Sequence, residues 1–504
     1  MPRQYEVKLM GKHLAVDIGS ESGRISVGYL KNGKLIIEEL HRFKTQFMQA
    51  HRKSVRNIYR YHEEIIIGLK KYVEKYGDTL DSIGVDSWGG DFVLLDRKGN
   101  ICKLPESYRA TSAASDVSEI IEKEYGLKKI YEHTGNQAMP TDTLSQMLRM
   151  IRDNDPSMDD PHAILFMGDV YHYLLGAEIC CEHSLAGYSR FYNNNIDCWD
   201  ESIMKGLQIP LSICTKVVCA GDTIGQIDPV IQKNVGLKKS VNIITPCTHD
   251  TSCAALAIPD MGTDWMFISS GTWSLMGMET DYPIINEISY KYNFSNSSMP
   301  LKTNMFKKNI QGMWIIQQCR EAWGNQISYE EIVSEAAKVE ENHLYIDVDR
   351  EEFYAPGNMP MAIVNAVKRD FHEEIDWKNV GVIARICFES LALKYRYFYD
   401  KLIQAADKKI SKIYIIGGGS NNQLVNQYTA NVIGLQVYTG VTEGSNVGNL
   451  LLQLYGSGEL SSKQEMRQCV CDTFSKYNYS PQNVQMWNEK YHFFENEISH
   501  EAQW

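Results

Sequence analysis

The sequence predicts an α/β protein with two domains built on related cores. At 504 residues the chain exceeds the size at which a single hydrophobic core stops growing. A strand, a small polar turn and a second strand occur at residues 14–30 and again at 266–276, near the start of each half. One theme repeated at half-length separation is typical of an internal duplication. Because small polar turns expose backbone N–H groups to phosphate, two such halves would hold one nucleotide between them.

The composition is that of a globular protein and argues against several classes of partner. Hydrophobic residues make up 43% and charged residues 23% of the chain. A net charge of −12 without a long basic run argues against a nucleic-acid or anionic-membrane partner. Residues 1–12 lack the apolar core of an export signal, and no apolar run approaches membrane length. We therefore expect a cytoplasmic protein whose 12 scattered cysteines are free thiols.

The first motif is a predicted β-meander. An apolar strand at 14–19 ends in Asp17-x-Gly19, residues 20–23 form the turn, and an alternating strand follows at 24–30. An Asn-Gly turn then leads into a third strand. The turn presents backbone donors to a phosphate, and Asp17 is placed to hold the water shell of a bound Mg²⁺. An ordinary hairpin with a polar turn is the alternative.

The next elements predict one wall of a polar pocket. Residues 62–76 show the apolar spacing of a helix, and a buried strand follows at 83–86. Trp88 and two glycines come directly after this strand. The Trp88 ring is suited to stacking on a sugar face, although a partly buried structural role is the alternative.

Residues 246–275 carry the segment around which the predicted chemistry is organised. An apolar strand at 241–244 leads into His249-Asp250-Thr251, which open a helix of small residues. A carboxylate in this position lies at the carboxyl end of a strand, where α/β proteins bind their ligands. The Ser269-Ser270-Gly271-Thr272 turn then lets a phosphate approach the backbone. One carboxylate beside one phosphate turn predicts proton removal coupled to phosphoryl transfer; an N-cap role for Asp250 is the alternative.

The remaining chain alternates helices and strands. The clearest predicted helix spans 377–406, and a strand at 412–416 ends in Gly417-Gly418-Gly419. Three glycines let a flat ring or a phosphate touch the backbone, whereas a tight β–α turn rarely needs three. Residues 420–422 cap the next helix, and a further helix follows the turn at 443–449. The tail is predicted to be a packed helix without a chemical role.

Six motifs in chain order resemble those of the FGGY carbohydrate kinases. The motifs are Asp17-Ile18-Gly19-Ser20-Glu21-Ser22-Gly23-Arg24, Val85-Asp86-Ser87-Trp88-Gly89, His249-Asp250-Thr251, Ser269-Ser270-Gly271-Thr272-Trp273-Ser274, Gly417-Gly418-Gly419 and the segment 443–449. The similarity runs from about residue 14 to residue 449, and it is greatest to the kinases of L-rhamnulose. It implies the actin/hexokinase-like (ribonuclease H-like) ATPase fold, with a duplicated βββαβαβα core and a cleft for ATP and sugar between the domains. The implied boundaries are 1–245 for a sugar-binding domain, 246–475 for a nucleotide-binding domain and 476–504 for the helical tail.

The resemblance also implies ATP and Mg²⁺ as cofactors and a role for individual residues. Asp250 would be the general base, and Asp17 would hold the metal. Contacts to ATP are implied for Ser20, Glu21, Ser22, Gly23, Arg24, Gly271, Thr272, Gln317, Gly417, Gly418, Gly419 and Asn422. Contacts to the sugar are implied for Trp88, Gly89, Asp91, His249, Asp250, Thr251 and Asn309.

Three departures from the L-rhamnulose kinases concern the sugar side. Their Tyr-Arg-Asp-x-Arg is Tyr108-Arg109-Ala110-Thr111-Ser112 here, their Asn-Glu-Gly-Gly is Asn296-Ser297-Ser298-Met299, and a Trp-Asp pair is replaced around 57–59. The expected reaction is ATP-dependent phosphorylation of a ketose, L-rhamnulose to L-rhamnulose 1-phosphate, with L-fuculose, L-ribulose or D-xylulose as alternatives. A non-catalytic sensor of nucleotide and sugar is the alternative of another class, although a binder has no need of the base Asp250. The expected partner is a small-molecule sugar, and a homodimer is plausible for this fold.

Overall fold

The computed structural model describes residues 11–50, 53–106, 115–354 and 357–499 and has the predicted α/β architecture with two related sheets. The strands of the first half are β1 (His13–Ile18), β2 (Ser22–Lys31), β3 (Lys34–Lys44), β4 (Phe47–Ala50), β5 (Lys53–Arg56), β6 (Ser82–Ser87), β7 (Phe92–Leu95), β8 (Ala163–Phe166), β9 (Cys180–Glu182), β10 (Tyr192–Asn193), β11 (Cys198–Trp199), β12 (Lys216–Val218), β13 (Thr223–Gln226) and β14 (Asn242–Ile244). Its helices are α1 (Ile58–Tyr76), α2 (Ser115–Glu124), α3 (Leu127–Thr134), α4 (Thr143–Arg152), α5 (Met167–Leu175), α6 (His183–Ala186), α7 (Glu201–Gly206), α8 (Pro229–Val235) and α9 (Asp250–Leu256).

The second half contributes the other sheet. Its strands are β15 (Trp265–Ser270), β16 (Trp273–Thr280), β17 (Ser295–Met299), β18 (Thr303–Gln311), β19 (Lys412–Ile416), β20 (Gln436–Thr439) and β21 (Tyr477–Tyr479). Its helices are α10 (Glu287–Lys291), α11 (Trp314–Ala322), α12 (Tyr329–Ala337), α13 (Met359–Phe371), α14 (Val380–Ala406), α15 (Gln423–Ile433), α16 (Gly444–Gly456), α17 (Lys463–Thr473) and α18 (Val484–Phe493).

Five strands of each sheet repeat one topology, which confirms the predicted duplication. The first sheet has the order β3-β2-β1-β6-β14-β13, and the second contains β18-β16-β15-β19-β20-β21 with β17 added at its edge. The edge strands differ, because β13 precedes β14 in the chain whereas β21 follows β20. In both sheets the first strand is antiparallel to the second and parallel to its other neighbour. The parallel strands β1 and β6 are buried along their whole length, as is typical of a sheet covered on both faces.

Each half has its own apolar core. In the first half, Ile65, Leu69 and Tyr72 of the amphipathic helix α1 are fully buried. In the second half, α14 is buried along most of its length, so it forms the centre of that core. Among the described residues, no helix combines the length and the apolar character needed to cross a membrane.

A third cluster joins the two halves and brings late residues onto the first sheet. Leu450 of α16 packs with Ala15 of β1 and Leu256 of α9. The approach of α16 to α9 requires a glycine, since a Cβ on Gly448 would lie 2.0 Å from the carbonyl oxygen of Cys253. Helix α16 therefore begins at Gly444, earlier than the sequence pattern predicts, because its first turn is part of this interface.

The tail departs from the single helix that the sequence predicts. Within it, β21 pairs antiparallel with β20, placing Tyr479 opposite Val437, and α18 follows. Residues 500–504 lie outside the described part of the chain. The division of the chain at 245 and 475 stays a prediction.

Candidate active site

A cleft between the two halves collects most of the predicted site residues. It lies at the carboxyl ends of β1, β6, β15 and β19, in agreement with the general position of ligands in α/β sheets. The predicted residues that line it are Ser20, Trp88, Gly89, His249, Asp250, Thr251, Gly271, Thr272, Asn309, Gly417 and Gly418. The lining residues that sequence reasoning did not select as site residues include Gly90, Met139, Thr141, Asp142, Tyr188, Trp273, Leu275, Thr442 and Ser445.

Asp250 is the first residue of α9 and its carboxyl group reaches the cleft. The N-cap position belongs to His249, so Asp250 does not have the capping role that was its alternative. Its Oδ1 accepts a hydrogen bond of 3.0 Å from the hydroxyl of Thr251. Burial, with a smaller contribution from the negative charge of Asp17, raises the pKa of Asp250 to about 6. Such a carboxylate is ionised at pH 7 and is a stronger base than an exposed aspartate.

One wall of the cleft beside Asp250 is formed by aromatic and amide groups. The rings of Tyr188 and His249 stack with centroids 5.4 Å apart, and Asn309 Nδ2 donates to the Tyr188 hydroxyl at 3.3 Å. Within the described residues, His249 Nδ1 and Asn309 Oδ1 have no hydrogen-bond partner. Unpaired polar atoms at a cleft wall are suited to the hydroxyl groups of a ligand. Tyr188 carries no motif that would have identified it from the sequence.

Trp88 is held in place by its neighbours on the side away from the cleft. Its Nε1 donates to Asp91 Oδ2 at 2.9 Å, and the Arg56 guanidinium lies 4.5 Å from the centroid of its ring. Asp91 is fully buried, and burial raises its pKa to about 6. The structure therefore places Asp91 behind Trp88 and does not bring it to the cleft wall.

The two predicted phosphate turns face each other across the cleft. The first is closed by a 2.9 Å bond from Gly19 N to Ser22 O, and the second by a 2.8 Å bond from Gly271 N to Trp273 O. The hydroxyl of Thr272 donates to Glu21 Oε1 at 3.4 Å and so connects the turns. The arrangement offers backbone donors from both halves to one polyphosphate.

Two residues predicted to belong to the first turn, Ser22 and Gly23, lie instead at the start of β2, whereas Arg24 lies in this strand as predicted. A Cβ on Gly23 would lie 2.2 Å from the Phe43 ring, so packing explains this glycine. Arg24 forms ion pairs with Asp17, at 3.5 Å, and with Glu443.

The glycine run after β19 divides into two structural residues and one open residue. Gly417 has a φ of +84°, and a Cβ on Gly419 would lie 2.0 Å from Ser270 Oγ. A Cβ on Gly418 would meet nothing within 4 Å, and Gly418 lines the cleft. The backbone at Gly418 is thus open to a ligand.

The last two residues predicted to contact the nucleotide do not line the cleft. Asn422 caps α15, where its side chain accepts from Val425 N at 3.1 Å. Gln317 lies in α11, and its buried Oε1 has no hydrogen-bond partner among the described residues.

The carboxylates of Asp17 and Asp86 form a site whose chemistry fits a hydrated Mg²⁺. The two residues are paired across β1 and β6, and Asp86 Oδ1 is buried without a hydrogen-bond partner in the described chain. Burial raises the pKa of both carboxyls, and a bound cation would oppose this effect. Across residues 11–50, 53–106, 115–354 and 357–499, no cluster of three His, Cys, Asp or Glu could hold a metal. This donor set suits Mg²⁺, which usually keeps several waters and binds one or two carboxylates and substrate phosphates.

Where they are described, the departures on the sugar side do not line the cleft. Ser297 and Ser298 belong to β17, and Ser298 Oγ lies 3.0 Å from His183 Nε2. The amide oxygen of Asn57 caps α1 by accepting from Arg60 N at 3.1 Å. Ala110 and Ser112 lie outside the described residues.

Comparison with known proteins identifies the family. Residues 13–257 match the N-terminal domain, and residues 266–457 the C-terminal domain, of the FGGY family of carbohydrate kinases. The chain is 33% identical to a rhamnulokinase of Bacteroides thetaiotaomicron, covering 96% of this chain and 98% of that protein. It is also 33% identical to a rhamnulokinase of Enterococcus faecalis, covering 92% of each.

Solved structures share the fold at low identity. A ligand-bound xylulose kinase of Lactobacillus acidophilus matches with a TM-score of 0.80 at 13% identity, covering 96% of this chain and 97% of the other. A Plasmodium falciparum glycerol kinase with ADP matches with a TM-score of 0.76 at 12% identity, covering 97% and 99%. The chain therefore belongs to the FGGY family of carbohydrate kinases and is an ATP-dependent sugar kinase with the fold of that family.

Proposed function

We propose that this kinase phosphorylates the primary hydroxyl of a ketose, with L-rhamnulose as its substrate and Asp250 as the general base. The observation that carries the proposal is the position of Asp250, which lines the same cleft as both phosphate turns and the wall of Tyr188 and His249. The relatives at 33% identity are rhamnulokinases, which supports L-rhamnulose as the sugar.

The chemistry requires a base at this position. Phosphoryl transfer depends mainly on positioning and on neutralising charge, so little covalent chemistry is needed from the protein. A sugar hydroxyl nevertheless has a pKa far above 7 and must lose its proton as the phosphoryl group moves. Asp250 is ionised at pH 7 and, as the first residue of α9, is held by the packing of that helix against α16.

Residues on both sides of the cleft would hold ATP and its metal. The turns at 19–22 and 270–273 would receive the phosphates, and Gly418 would approach the nucleoside. Asp17 would hold Mg²⁺ through its water shell, with Asp86 beside it. When bound, the ion neutralises charge on the phosphates.

The sugar would bind against the opposite wall. His249 and Asn309 offer unpaired polar atoms, and the rings of Tyr188 and Trp88 offer apolar faces. Because Ser297 and Ser298 differ from the L-rhamnulose kinases near this wall, L-fuculose, L-ribulose and D-xylulose stay alternative substrates. A homodimer stays a prediction.

The test is release of ADP, coupled to NADH oxidation, with a panel of ketoses at saturating Mg²⁺ and ATP. We expect the highest kcat/KM with L-rhamnulose and formation of the 1-phosphate. A higher kcat/KM with another ketose would make that ketose the substrate and would leave the proposed reaction unchanged. Absence of turnover with every ketose, together with measurable sugar binding, would favour the non-catalytic sensor.

A further inference from the structure

Lys307 is a buried cation on the far side of the sugar-binding wall. It lies in β18, its side chain is fully buried, and no described group accepts a hydrogen bond from its Nζ. The Nζ lies 4.9 Å from the centroid of the Tyr188 ring, which stacks on His249, the residue before Asp250. A buried ammonium group without an acceptor costs folding free energy, so its position calls for an explanation other than stability.

The charged groups around Lys307 and Asp250 give that explanation. Asp250 is the carboxylate whose charge acts on Lys307, and the Lys307 charge in turn favours the ionised form of Asp250. The other titratable groups that act on or face Asp250 are Asp17 of β1, Asp86 of β6 and His249. The first two oppose ionisation, and burial keeps the His249 imidazole neutral.

We infer that Lys307 is a positioning residue for phosphoryl transfer: its buried charge keeps Asp250 ionised, and its contact with Tyr188 holds that ring against His249. The inference rests on the proposed role of Asp250 as the base. Burial lowers the pKa of Lys307 to about 7, so the lysine is still charged over the pH range in which Asp250 gains its proton. Lys307 therefore opposes protonation of the base where this matters for activity.

The neighbouring Lys308 provides a matched control. Alternate residues of a strand point to opposite faces, and Lys308 Nζ donates to Tyr292 O at 3.0 Å on the other side of β18. Burial lowers its pKa to about 7 as well, but the carboxyl group that acts on it is Asp349, not Asp250. Lysine-to-methionine changes at 307 and 308 therefore remove equally buried charges from one strand, and only one of them belongs to the Asp250 site.

The experiment compares the pH profiles of kcat/KM for Lys307→Met and Lys308→Met between pH 5 and 8. The acid limb is the part of the profile in which kcat/KM falls as the pH is lowered. For Lys307→Met we expect this limb to move up by about one pH unit, so that kcat/KM at pH 6 is about fivefold lower than in the parent and recovers toward pH 8. We expect the acid limb of Lys308→Met to stay at the parental pH. Lys307→Arg keeps the positive charge, so its pH profile should stay close to that of the parent. Thermal unfolding of Lys307→Met should occur no lower than that of the parent, because the change removes an unpaired buried charge.

An unshifted limb in Lys307→Met, or equal shifts in Lys307→Met and Lys308→Met, would overturn the inference. If Lys307→Met does not fold, Lys307→Gln replaces it, and the same shift of the acid limb is expected. Parallel assay of Asp250→Asn separates the two proposals. If Asp250→Asn loses turnover and Lys307→Met keeps the parental profile, only the role of Lys307 fails. If Asp250→Asn turns over like the parent, the base assignment fails and the role of Lys307 with it.

Discussion

The hydroxyl of Ser445 donates a 2.7 Å hydrogen bond to Asp17 Oδ2, joining residues 428 positions apart in the sequence. Asp17 is the last residue but one of the first strand of one sheet, and Ser445 lies in the first turn of α16. The contact ties one carboxylate oxygen of Asp17 to Ser445, which lines the cleft. It places the proposed metal-holding group at the junction of the two halves of the protein.

Asp17→Asn should weaken Mg²⁺ binding and so raise the Mg²⁺ concentration that activity requires. The amide removes a negative charge from the water shell of the ion, and we expect about a 10- to 100-fold rise in the Mg²⁺ concentration needed for half-maximal rate. The measurement is ADP release during Mg²⁺ titration at fixed ATP. Ser445→Ala is the control, because it removes one hydrogen bond but keeps the carboxylate. Identical Mg²⁺ curves for Asp17→Asn and the parent would exclude the metal role.

Asp250→Asn should lower kcat by roughly two to four orders of magnitude, the range for lost acid–base catalysis. The asparagine keeps the size of the side chain, so KM for the sugar and the melting temperature should change little. Steady-state kinetics and thermal unfolding provide both readouts. Turnover near that of the parent would remove Asp250 from the role of base.

The rate should depend on pH in the direction set by Asp250. Its pKa is raised to about 6, so kcat/KM should fall about tenfold per unit as the pH drops below this value. An exposed aspartate would be protonated only at a much lower pH. Asp91 also has a pKa of about 6, and Asp91→Asn is therefore the control that should leave the acid limb in place. If the acid limb of the kcat/KM profile disappears in Asp91→Asn, the group that titrates is Asp91 and not Asp250.

Changes at two adjacent glycines should separate folding from nucleotide binding. Gly419→Ala should destabilise the protein by about 1–3 kcal/mol, because its Cβ would lie 2.0 Å from Ser270 Oγ and 2.8 Å from Ser270 Cβ. Gly418→Ala meets nothing within 4 Å, so stability should be kept while KM for ATP rises about 3- to 10-fold. Denaturant unfolding measures the stability of both variants, and ATP titrations measure their KM for ATP. Equal stability losses would show that Gly418 is also a packing residue.

Gly448→Ala should damage both stability and catalysis. The new Cβ would lie 2.0 Å from the backbone oxygen of Cys253, so α9 and α16 must separate, at a cost of about 1–3 kcal/mol. Because α9 carries Asp250, kcat should fall as well. Gly357→Ala, whose Cβ meets nothing within 4 Å, is the control and should be nearly neutral. Parental urea unfolding and kcat in Gly448→Ala would contradict this packing argument.

Local patterns were sufficient to predict the duplicated strands, the two small polar turns and the position of Asp250 at the start of a helix. They predicted an open backbone for all three glycines after β19, whereas the structure leaves Gly418 open and gives Gly417 and Gly419 packing roles. In each of these cases the residues that determine the feature are neighbours in the chain. The spacing of apolar and small residues therefore carries the information.

Other features follow only from tertiary structure. Tyr188 reaches the wall beside Asp250 although it lies 62 positions earlier in the sequence and belongs to no motif. Asp91, which the sequence placed at the sugar, lies behind Trp88 because burial and the indole N–H of Trp88 hold its carboxylate there. The sequence by itself determined the fold and the family, because strand periodicity and short motifs depend on neighbouring residues, and it led to the proposal of Asp250 as the base. The surroundings of Asp250, Lys307 and Asp17 among them, were decided only by packing, because charges and rings from distant segments act on one another only after the two halves have folded together.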